Sequence, residues 1–263
     1  MANEGEDGLR FVREVLRYCE PIGQTTLFVV LDRVTKDNTR ELLEAYAVGE
    51  PRLRVVWAPE NRCVVDAYLR GYREALASNA EWILEIDAGF SHRPEDIPRF
   101  FPFMVEDYDA IFGSRFMHGG RIQNSSFKRR YVSWGGTLLT NLLLGTRLKD
   151  MTSGFEMFTH KTLFHVLEKG IHSRAHFFQT EIKVYCRDLK IVEVPIVYEA
   201  ASPRLSSGPV KEAFEQLGRL FRLRLAGKLD FIPPNPNGPT DQHRSHLDRK
   251  TESSPADHRE RVQ

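Results

Sequence analysis

The sequence predicts an α/β fold in which a mostly parallel sheet has helices on both faces. Three observations support this prediction. Short apolar runs alternate with amphipathic segments through the first half of the chain. These runs lack polar alternation, as is typical of strands buried on both faces. Charged side chains follow several of the runs, at the strand ends where such sheets bind ligands.

The first half of the chain alternates between strands and helices. Residues 8–19, GLRFVREVLRYC, place their apolar side chains on one face and predict an amphipathic helix. The run TTLFVVLD, residues 25–32, predicts a buried strand. The alternation then continues with a helix at 38–49, a strand at 52–59, a helix at 64–78, a strand at 81–87, a short helix at 93–104 and a strand at 108–116.

The second half predicts longer helices and a polar end. A basic start leads into a long apolar helix over residues 128–148. The elements predicted after it are a turn and strand at 149–158, a helix at 177–189, a strand at 190–200 and an amphipathic helix at 210–229. The last residues are polar and rich in proline, so we expect a domain at 1–230 and a disordered tail at 231–263.

Composition narrows the class of protein. The formal net charge of +1 gives no reason to expect a nucleic-acid partner. The three cysteines are widely spaced without a CxxC pair, which argues against a disulfide framework or a zinc site and favours the cytoplasm. No apolar run reaches the ~18–20 residues of a membrane span, and the acidic start is not a secretory signal. We therefore expect a cytoplasmic protein with at most peripheral contact at the inner face of the membrane.

Five segments in order carry a family resemblance. They are VVLDRVTKDNT; ENRCVVDAYLRGYREAL; EIDAGFSHRPEDIPRF; IFGSRF with the later FKRRYVSWGGTLLTNLLLG and KDMTSGFEMF; and FFQTEIKVYCRDLKIVEVPIVY. Together they resemble the family-two inverting glycosyltransferases, in the branch similar to dolichol-phosphate and polyprenyl-phosphate mannosyl- and glucosyltransferases.

The resemblance implies an A-type, Rossmann-like glycosyltransferase fold and a function. The donor would be a UDP- or GDP-hexose, the cofactor Mg²⁺ or Mn²⁺, and the acceptor a polyprenyl phosphate or a cell-envelope glycan precursor. Two alternatives stay open: transfer to a soluble or glycan hydroxyl, and a donor-binding paralogue without catalysis.

The segment EIDAGF carries the implied metal site. Asp87 ends an apolar run and is the expected metal ligand and catalytic residue. Gly89 stands where the family has a second carboxylate, and Ser91 could add a hydroxyl ligand or hold a metal-bound water. Magnesium commonly takes one or two carboxylates together with substrate phosphates, so a single aspartate is compatible with a site. The alternative is that Asp87 caps the following turn.

The resemblance also assigns residues to the two substrates. Glu181 is the second catalytic candidate, although Gln179 and Glu181 diverge if both lie on one helix. Ordinary turn or surface positions remain the alternative for most of these residues. The implied donor-binding residues are Asn3, Glu4, Asp32, Asn61, Asp87 and Arg115. The implied acceptor- or phosphate-binding residues are Arg129, Arg130, Thr152, Ser153, Gln179 and Arg204.

Two expectations concern the ends of the domain. The family's first strand ends in Pro-x-x-Asn-Glu, and here Asn3 and Glu4 match only its end. We therefore expect the first family strand to be missing and the domain to be shortened at its N-terminus, which would leave strand-edge groups unpaired. The amphipathic segment 210–229 is expected either to lie on a membrane surface or to pack on its own domain.

Overall fold

The computed structural model describes residues 1–199 and 207–233 and has the expected α/β architecture. The strands are β1 Leu27–Leu31, β2 Leu53–Trp57, β3 Trp82–Glu85, β4 Ala110–Ser114, β5 Arg121–Gln123, β6 Glu156–Thr159, β7 Ile191–Pro195 and β8 Val197–Glu199. The helices are α1 Gly5–Tyr18, α2 Thr39–Gly49, α3 Val64–Ala77, α4 Phe127–Leu144, α5 His160–Lys169, α6 Phe177–Tyr185 and α7 Ser207–Leu225.

The strands form a central sheet and two smaller parallel pairs. The central sheet has the order β3-β6-β4-β7, with β4 and β7 parallel and β6 antiparallel to both of its neighbours. Strands β1 and β2 pair in parallel, as do β5 and β8. The prediction of a mostly parallel sheet is therefore confirmed, with β6 as the exception.

Helices cover both faces of the central sheet because its strands are apolar on both faces. Ala110 and Phe112 of β4 lie in one buried cluster with side chains of α3, α5 and α6. Ile111, between them, lies in a second cluster with Phe11 and Val15 of α1. Since successive side chains of a strand point to opposite faces, the two clusters are the two sides of one sheet.

Three elements differ from the sequence-based expectation. The segment 93–104 forms two short 3₁₀ helices, Pro94–Arg99 and Phe101–Val105, because its prolines cannot donate α-helical hydrogen bonds. The expected strand at 190–200 is divided into β7 and β8, which pair with different strands. Helix α5 was not predicted, although Thr159 caps it by accepting a hydrogen bond from the backbone N–H of Thr162 at 3.2 Å.

The C-terminal part of the described chain, from α7 to Ile232, packs on the rest of the domain. Leu217 and Leu220 of α7 are buried, so this helix packs on its own domain. Ile232 is buried as well, and its N–H donates to the Tyr185 carbonyl at 2.9 Å. The described residues therefore pack on the domain up to Ile232, next to the boundary predicted at residue 230, and the division into domain and tail stays a prediction. The rest of the predicted tail, from residue 234, lies outside the described residues.

A strand preceding β1 in the family fold could pair with the edge of β1 that does not face β2. Within residues 1–199 and 207–233, no strand pairs with that edge, and the Met1 ammonium group donates to the Val30 carbonyl at 3.0 Å. The shortened N-terminus itself stays a prediction. In the described part of the chain, no helix has the length and apolar character needed to cross a membrane.

Candidate active site

Asp87 lies just beyond the carboxyl end of β3, and two side chains hold it in place. The Tyr68 hydroxyl of α3 donates to Asp87 Oδ1. The backbone N–H of Asp87 donates to His92 Nδ1 at 3.2 Å. The Asp87 side chain is 29% exposed, so it remains accessible to a ligand. This aspartate is therefore oriented by the fold and open to solvent, as a binding residue requires.

His92 supports the Asp87 loop as a neutral side chain. It is buried, and burial lowers the pKa of its imidazole to about 4. Nδ1 accepts the Asp87 N–H, which leaves the ring proton on Nε2. The ring stacks on Phe155 with centroids 5.1 Å apart. The 3.6 Å approach of Nδ1 to Asp87 Oδ2 is consequently not an ion pair near neutral pH.

A buried polar network lies next to Asp87, around Glu85. Gln179 Nε2 donates to Glu85 Oε1 at 2.9 Å, and the Tyr72 hydroxyl donates to Glu85 Oε2. Burial raises the pKa of Glu85 well above its usual value, and the charges of Glu156 and Asp87 add to this effect. Gln179 thus supports the strand that carries Asp87. Sequence reasoning missed Glu85, although a charged residue within an apolar strand was a usable signal.

A second buried pair fixes the turn before β6. Lys183 of α6 is fully buried and donates to Glu156 and to the Ser153 carbonyl. Burial raises the pKa of Glu156 to about 7. The signal in the sequence was a lysine in the middle of an apolar helix. This pair places Ser153 through its backbone, and the side chain of Ser153 is itself buried.

Arg115 is held by Asp150. Its Nε and Nη2 donate to the two Asp150 oxygens, each at 2.7 Å, and Nη2 also donates to Thr152 Oγ1 at 2.5 Å. The Thr152 N–H donates to Asp150 Oδ1 at 3.1 Å, so Asp150 also orients this turn. Arg115 is buried, and its guanidinium lies over the Tyr198 ring. A contact between Arg115 and the donor stays a prediction.

Asp32 and Asn3 meet at the turn after β1. Asp32 Oδ1 accepts the Val34 N–H at 2.9 Å, which is the turn geometry that the alternative interpretation described. Asn3 donates to the Val34 carbonyl at 2.9 Å and accepts the Lys36 N–H at 2.7 Å. Both residues therefore shape the turn, and their predicted contacts to a donor are untested.

Glu181 is not brought together with Asp87. Its carboxylate is fully buried and accepts hydrogen bonds from the backbone N–H groups of His172 and Ser173, at 3.1 and 2.9 Å. The Tyr185 hydroxyl at 2.8 Å and Arg219 of α7 are further donors. Gln179 points to Glu85 instead, so the two residues do diverge as expected. The geometry gives Glu181 a structural position and does not support its selection as a catalytic residue.

The remaining candidates are dispersed. The Asn61 amide nitrogen is buried and has no acceptor among the described residues. Ser91 follows Asp87 in the same loop, and its carbonyl accepts the Glu199 N–H at 2.8 Å. Arg130 is exposed near the start of α4. The Arg129 side chain and all of Arg204 lie outside what the structure describes.

Helix α4 carries an exposed apolar surface, which we call the α4 surface. Its side chains recur at intervals of three and four residues and so share one side of the helix. Each is between 52% and 77% exposed. Elsewhere α4 packs against the turn at the active site, where Thr137 accepts the Met151 N–H at 3.1 Å. The α4 surface consists of Phe127, Tyr131, Trp134, Leu138 and Leu142.

The acidic side chains near Asp87 can be compared with what a divalent metal ion requires. Within the described ranges, no group of three or more His, Cys, Asp or Glu side chains is arranged to hold one. A Cβ atom placed on Gly89 would, however, lie 3.1 Å from each Glu4 carboxylate oxygen. An acidic side chain therefore occupies the space beside Gly89, two residues after Asp87. Two carboxylates plus substrate phosphates fit a Mg²⁺ or Mn²⁺ ion.

Comparison with known sequences decides the family. The pattern of glycosyl transferase family 2 matches residues 1–168, well over half of the chain. The chain belongs to this family. It is 31% identical over 196 residues to the undecaprenyl-phosphate mannosyltransferase of Micrococcus luteus, covering 73% of this chain and 80% of that protein. It is 26% identical to the polyprenol monophosphomannose synthase of Mycolicibacterium smegmatis, covering 74% and 78%. The expected enzyme class is thus confirmed: the protein is a glycosyltransferase.

Solved structures confirm the fold of this family-2 enzyme. Glucosyl-3-phosphoglycerate synthase from Mycobacterium tuberculosis aligns with a TM-score of 0.54 at 18% identity, covering 86% of this chain and 78% of that one. The same enzyme in complex with Mn²⁺, UDP and phosphoglyceric acid aligns with a TM-score of 0.51 at 15% identity, covering 86% and 76%. The predicted A-type glycosyltransferase fold is confirmed.

Proposed function

We propose that this glycosyltransferase moves a hexose from a UDP- or GDP-sugar to a polyprenyl phosphate, with inversion at the anomeric carbon. Two relatives whose names specify polyprenyl-phosphate mannosyl transfer, each aligned over about three quarters of the chain, support the acceptor class. Both are named for mannose, which makes mannose the first sugar to test.

The position of Glu181 is the observation that favours a phosphate acceptor. A hydroxyl acceptor needs a general base, and the sequence offered Asp87 and Glu181 for this task. Glu181 is buried and already bonded to α7 and to the loop before α6. A phosphate monoester has a second pKa near 6, so at neutral pH it already carries the negative charge of a nucleophile. Asp87 is then the remaining candidate base, and because the proposed reaction uses it to hold the metal ion, an acceptor that needs no deprotonation is favoured.

The proposed reaction is a single displacement. An oxygen of the acceptor phosphate bonds to the anomeric carbon from the face opposite the diphosphate. The bond to the diphosphate breaks, and its electron pair leaves with the nucleoside diphosphate. Asp87, together with the donor phosphates, would hold Mg²⁺ or Mn²⁺, and the ion would stabilise the negative charge on the leaving group. Tyr68 and His92 keep the Asp87 carboxylate and its loop in place.

The α4 surface gives the enzyme a site for contact with the membrane that holds its acceptor. Exposed apolar patches mark sites of interaction with proteins or membranes. Phe127, Tyr131 and Trp134 are aromatic, and exposed Arg130 lies among them, a combination that suits the interface of an anionic bilayer. The predicted amphipathic helix at 210–229 buries part of its apolar face instead. We therefore assign peripheral contact, at the inner face of the membrane, to α4.

Transfer to lipid tests the function. Purified protein is incubated with Mn²⁺, radiolabelled UDP- or GDP-hexoses, and either undecaprenyl phosphate or soluble hydroxyl acceptors. Label should enter the organic phase only with the polyprenyl phosphate, and NMR of the product should show the anomeric configuration opposite to that of the donor. Label transferred only to soluble hydroxyl acceptors would contradict the proposal.

Vesicle sedimentation tests the membrane contact separately. Trp134→Ser and Leu138→Ser should each reduce binding to vesicles that contain phosphatidylglycerol, and the double variant should reduce it by at least ~10-fold, since polar groups replace large apolar side chains. Phe164→Ser is the matched control, because Phe164 is an exposed aromatic residue on α5. An equal loss in the control, or no loss in the double variant, would refute the assignment to α4.

A further inference from the structure

The Asp87 loop raises a specific question about its second carboxylate. Gly89 has no side chain, and its φ of 75° followed by a φ of 60° at Phe90 places two consecutive residues in the left-handed region. Glycine adopts this conformation without strain. The loop therefore turns sharply beside Asp87 and leaves room where a side chain of residue 89 would start.

Glu4 fills that room. Both of its carboxylate oxygens lie 3.1 Å from the position of a Cβ atom on Gly89. A side chain at residue 89 would therefore crowd the Glu4 carboxylate, which would have to shift to make room. The carboxylate stands close to where an aspartate at position 89 would begin. The chain thus has an acidic group beside Asp87 that comes from a different segment.

The backbone at Glu4 is fixed by a buried threonine. Thr39 Oγ1 accepts the N–H groups of Glu4 and Gly5 at 2.9 and 2.7 Å, and Thr39 is fully buried. Glu4 precedes α1 as its N-cap residue, yet its side chain does not cap the helix. No donor among the described residues bonds to its carboxylate. Glu4 is therefore anchored through its main chain, while its charged group is available.

The carboxylates of Glu4, Asp32 and Asp87 share one neighbourhood. Burial lowers the pKa of the Met1 ammonium, whereas the charges of Asp32, Glu4 and Asp87 each act to raise it. Each of the three charges is therefore near enough to act on this one ammonium group, because the interaction between charges weakens with distance. This agrees with the close contact of Glu4 with Gly89, which carries the argument.

From this geometry we infer that Glu4 supplies the second protein carboxylate for the divalent cation, in place of the side chain that Gly89 lacks. The inference rests on the proposed metal-assisted transfer and specifies one of its ligands. Asp87 and Glu4 would each offer a carboxylate oxygen to the ion, and the donor phosphates and water would supply further oxygen ligands. Gly89 leaves room for the Glu4 carboxylate, which a side chain at this position would crowd.

Manganese binding tests the inference without relying on turnover. Free Mn²⁺ is measured by electron paramagnetic resonance in the presence of UDP or GDP, for the wild-type protein and for variants with matching thermal unfolding. Changes outside the direct ligands already alter metal affinity by ~10–100-fold, so Glu4→Gln should weaken Mn²⁺ binding by at least ~10-fold. Glu6→Gln, an exposed acid on α1, should have no effect.

A reciprocal variant sharpens the test. Glu4→Ala combined with Gly89→Asp should bind Mn²⁺ more tightly than Glu4→Ala alone, because the alanine leaves room for the new side chain and aspartate is among the residues that tolerate positive φ. Unchanged Mn²⁺ affinity in Glu4→Gln alongside a loss in Asp87→Asn would overturn the Glu4 assignment and leave the proposed function intact. If Glu4→Gln weakens nucleotide binding in EDTA as much as it weakens Mn²⁺ binding, Glu4 contacts the nucleotide directly. That result would also overturn the assignment of Glu4 as a metal ligand. Absence of Mn²⁺ binding by the wild-type protein would overturn both proposals.

Discussion

Replacing Gly154 with alanine should destabilise the protein strongly, because Gln179 crosses directly over this glycine. A Cβ atom on residue 154 would lie 1.6 Å from Gln179 Nε2. The Gln179 amide must then move away from Glu85, to which it donates at 2.9 Å. Leaving a buried acceptor without its donor costs ~1–3 kcal/mol. Forcing a methyl group into a filled core costs ~1–3 kcal/mol more.

The expected loss for Gly154→Ala is therefore about 2–6 kcal/mol in the free energy of unfolding, measured by urea denaturation. Gly49→Ala is the control, since a Cβ atom there meets nothing within 4 Å. A double-mutant cycle with Gln179→Ala isolates the cause: once the amide is gone, Gly154→Ala should add little further destabilisation. A loss below ~0.5 kcal/mol in the single variant, or additive losses in the double variant, would refute this explanation.

Two further predictions concern buried charge. Because the pKa of His92 is about 4 in the folded protein, against about 6.5 when unfolded, unfolding takes up a proton between these pH values. The free energy of unfolding should therefore fall by about 3 kcal/mol as the pH drops from 6.5 to 4. In denaturant titrations, His92→Gln should lack this part of the pH dependence. The same pH dependence in the wild-type protein and in His92→Gln would contradict the prediction. Lys183→Met should lower the free energy of unfolding by about 3–5 kcal/mol, because it leaves Glu156 buried without its partner. Adding Glu156→Gln should recover part of this loss. A Lys183→Met variant as stable as the wild-type protein would refute the prediction.

The fold could be predicted largely from the sequence because its strands are short apolar runs bounded by polar residues. The run that became β1 and the Asp87 strand β3 were located from local pattern alone. Helix α5 was missed because its segment, HKTLFHVLEK, follows strand β6 directly, and Thr159 both ends the strand and caps the helix. The packing of Ile232 against the end of α6 was not visible in the sequence, because an apolar residue within a polar stretch gives no local sign of its partner.

The site was only partly predictable, since its main contacts join distant segments. Asp87 could be selected from the sequence because it ends an apolar run, and the end of a strand is visible in the local pattern. The pairing of Gln179 with Glu85, 94 residues apart, is invisible to any local pattern. Glu181 was selected because it is acidic and matches a motif, but three-dimensional packing turned it toward Arg219. The approach of Glu4 to Gly89 likewise depends on how α1 begins against α2.

The central claim is that Asp87 supports metal-dependent transfer to a polyprenyl phosphate. The most direct test measures the rate of hexose transfer from the preferred donor to undecaprenyl phosphate, once with Mn²⁺ and once with EDTA. The proteins compared are the wild type, Asp87→Asn and the control Asp107→Asn, which changes an exposed aspartate. We expect EDTA and Asp87→Asn each to lower the rate by ~10²–10³-fold and the control to match the wild type. Transfer that survives both EDTA and Asp87→Asn at wild-type rates would contradict the claim.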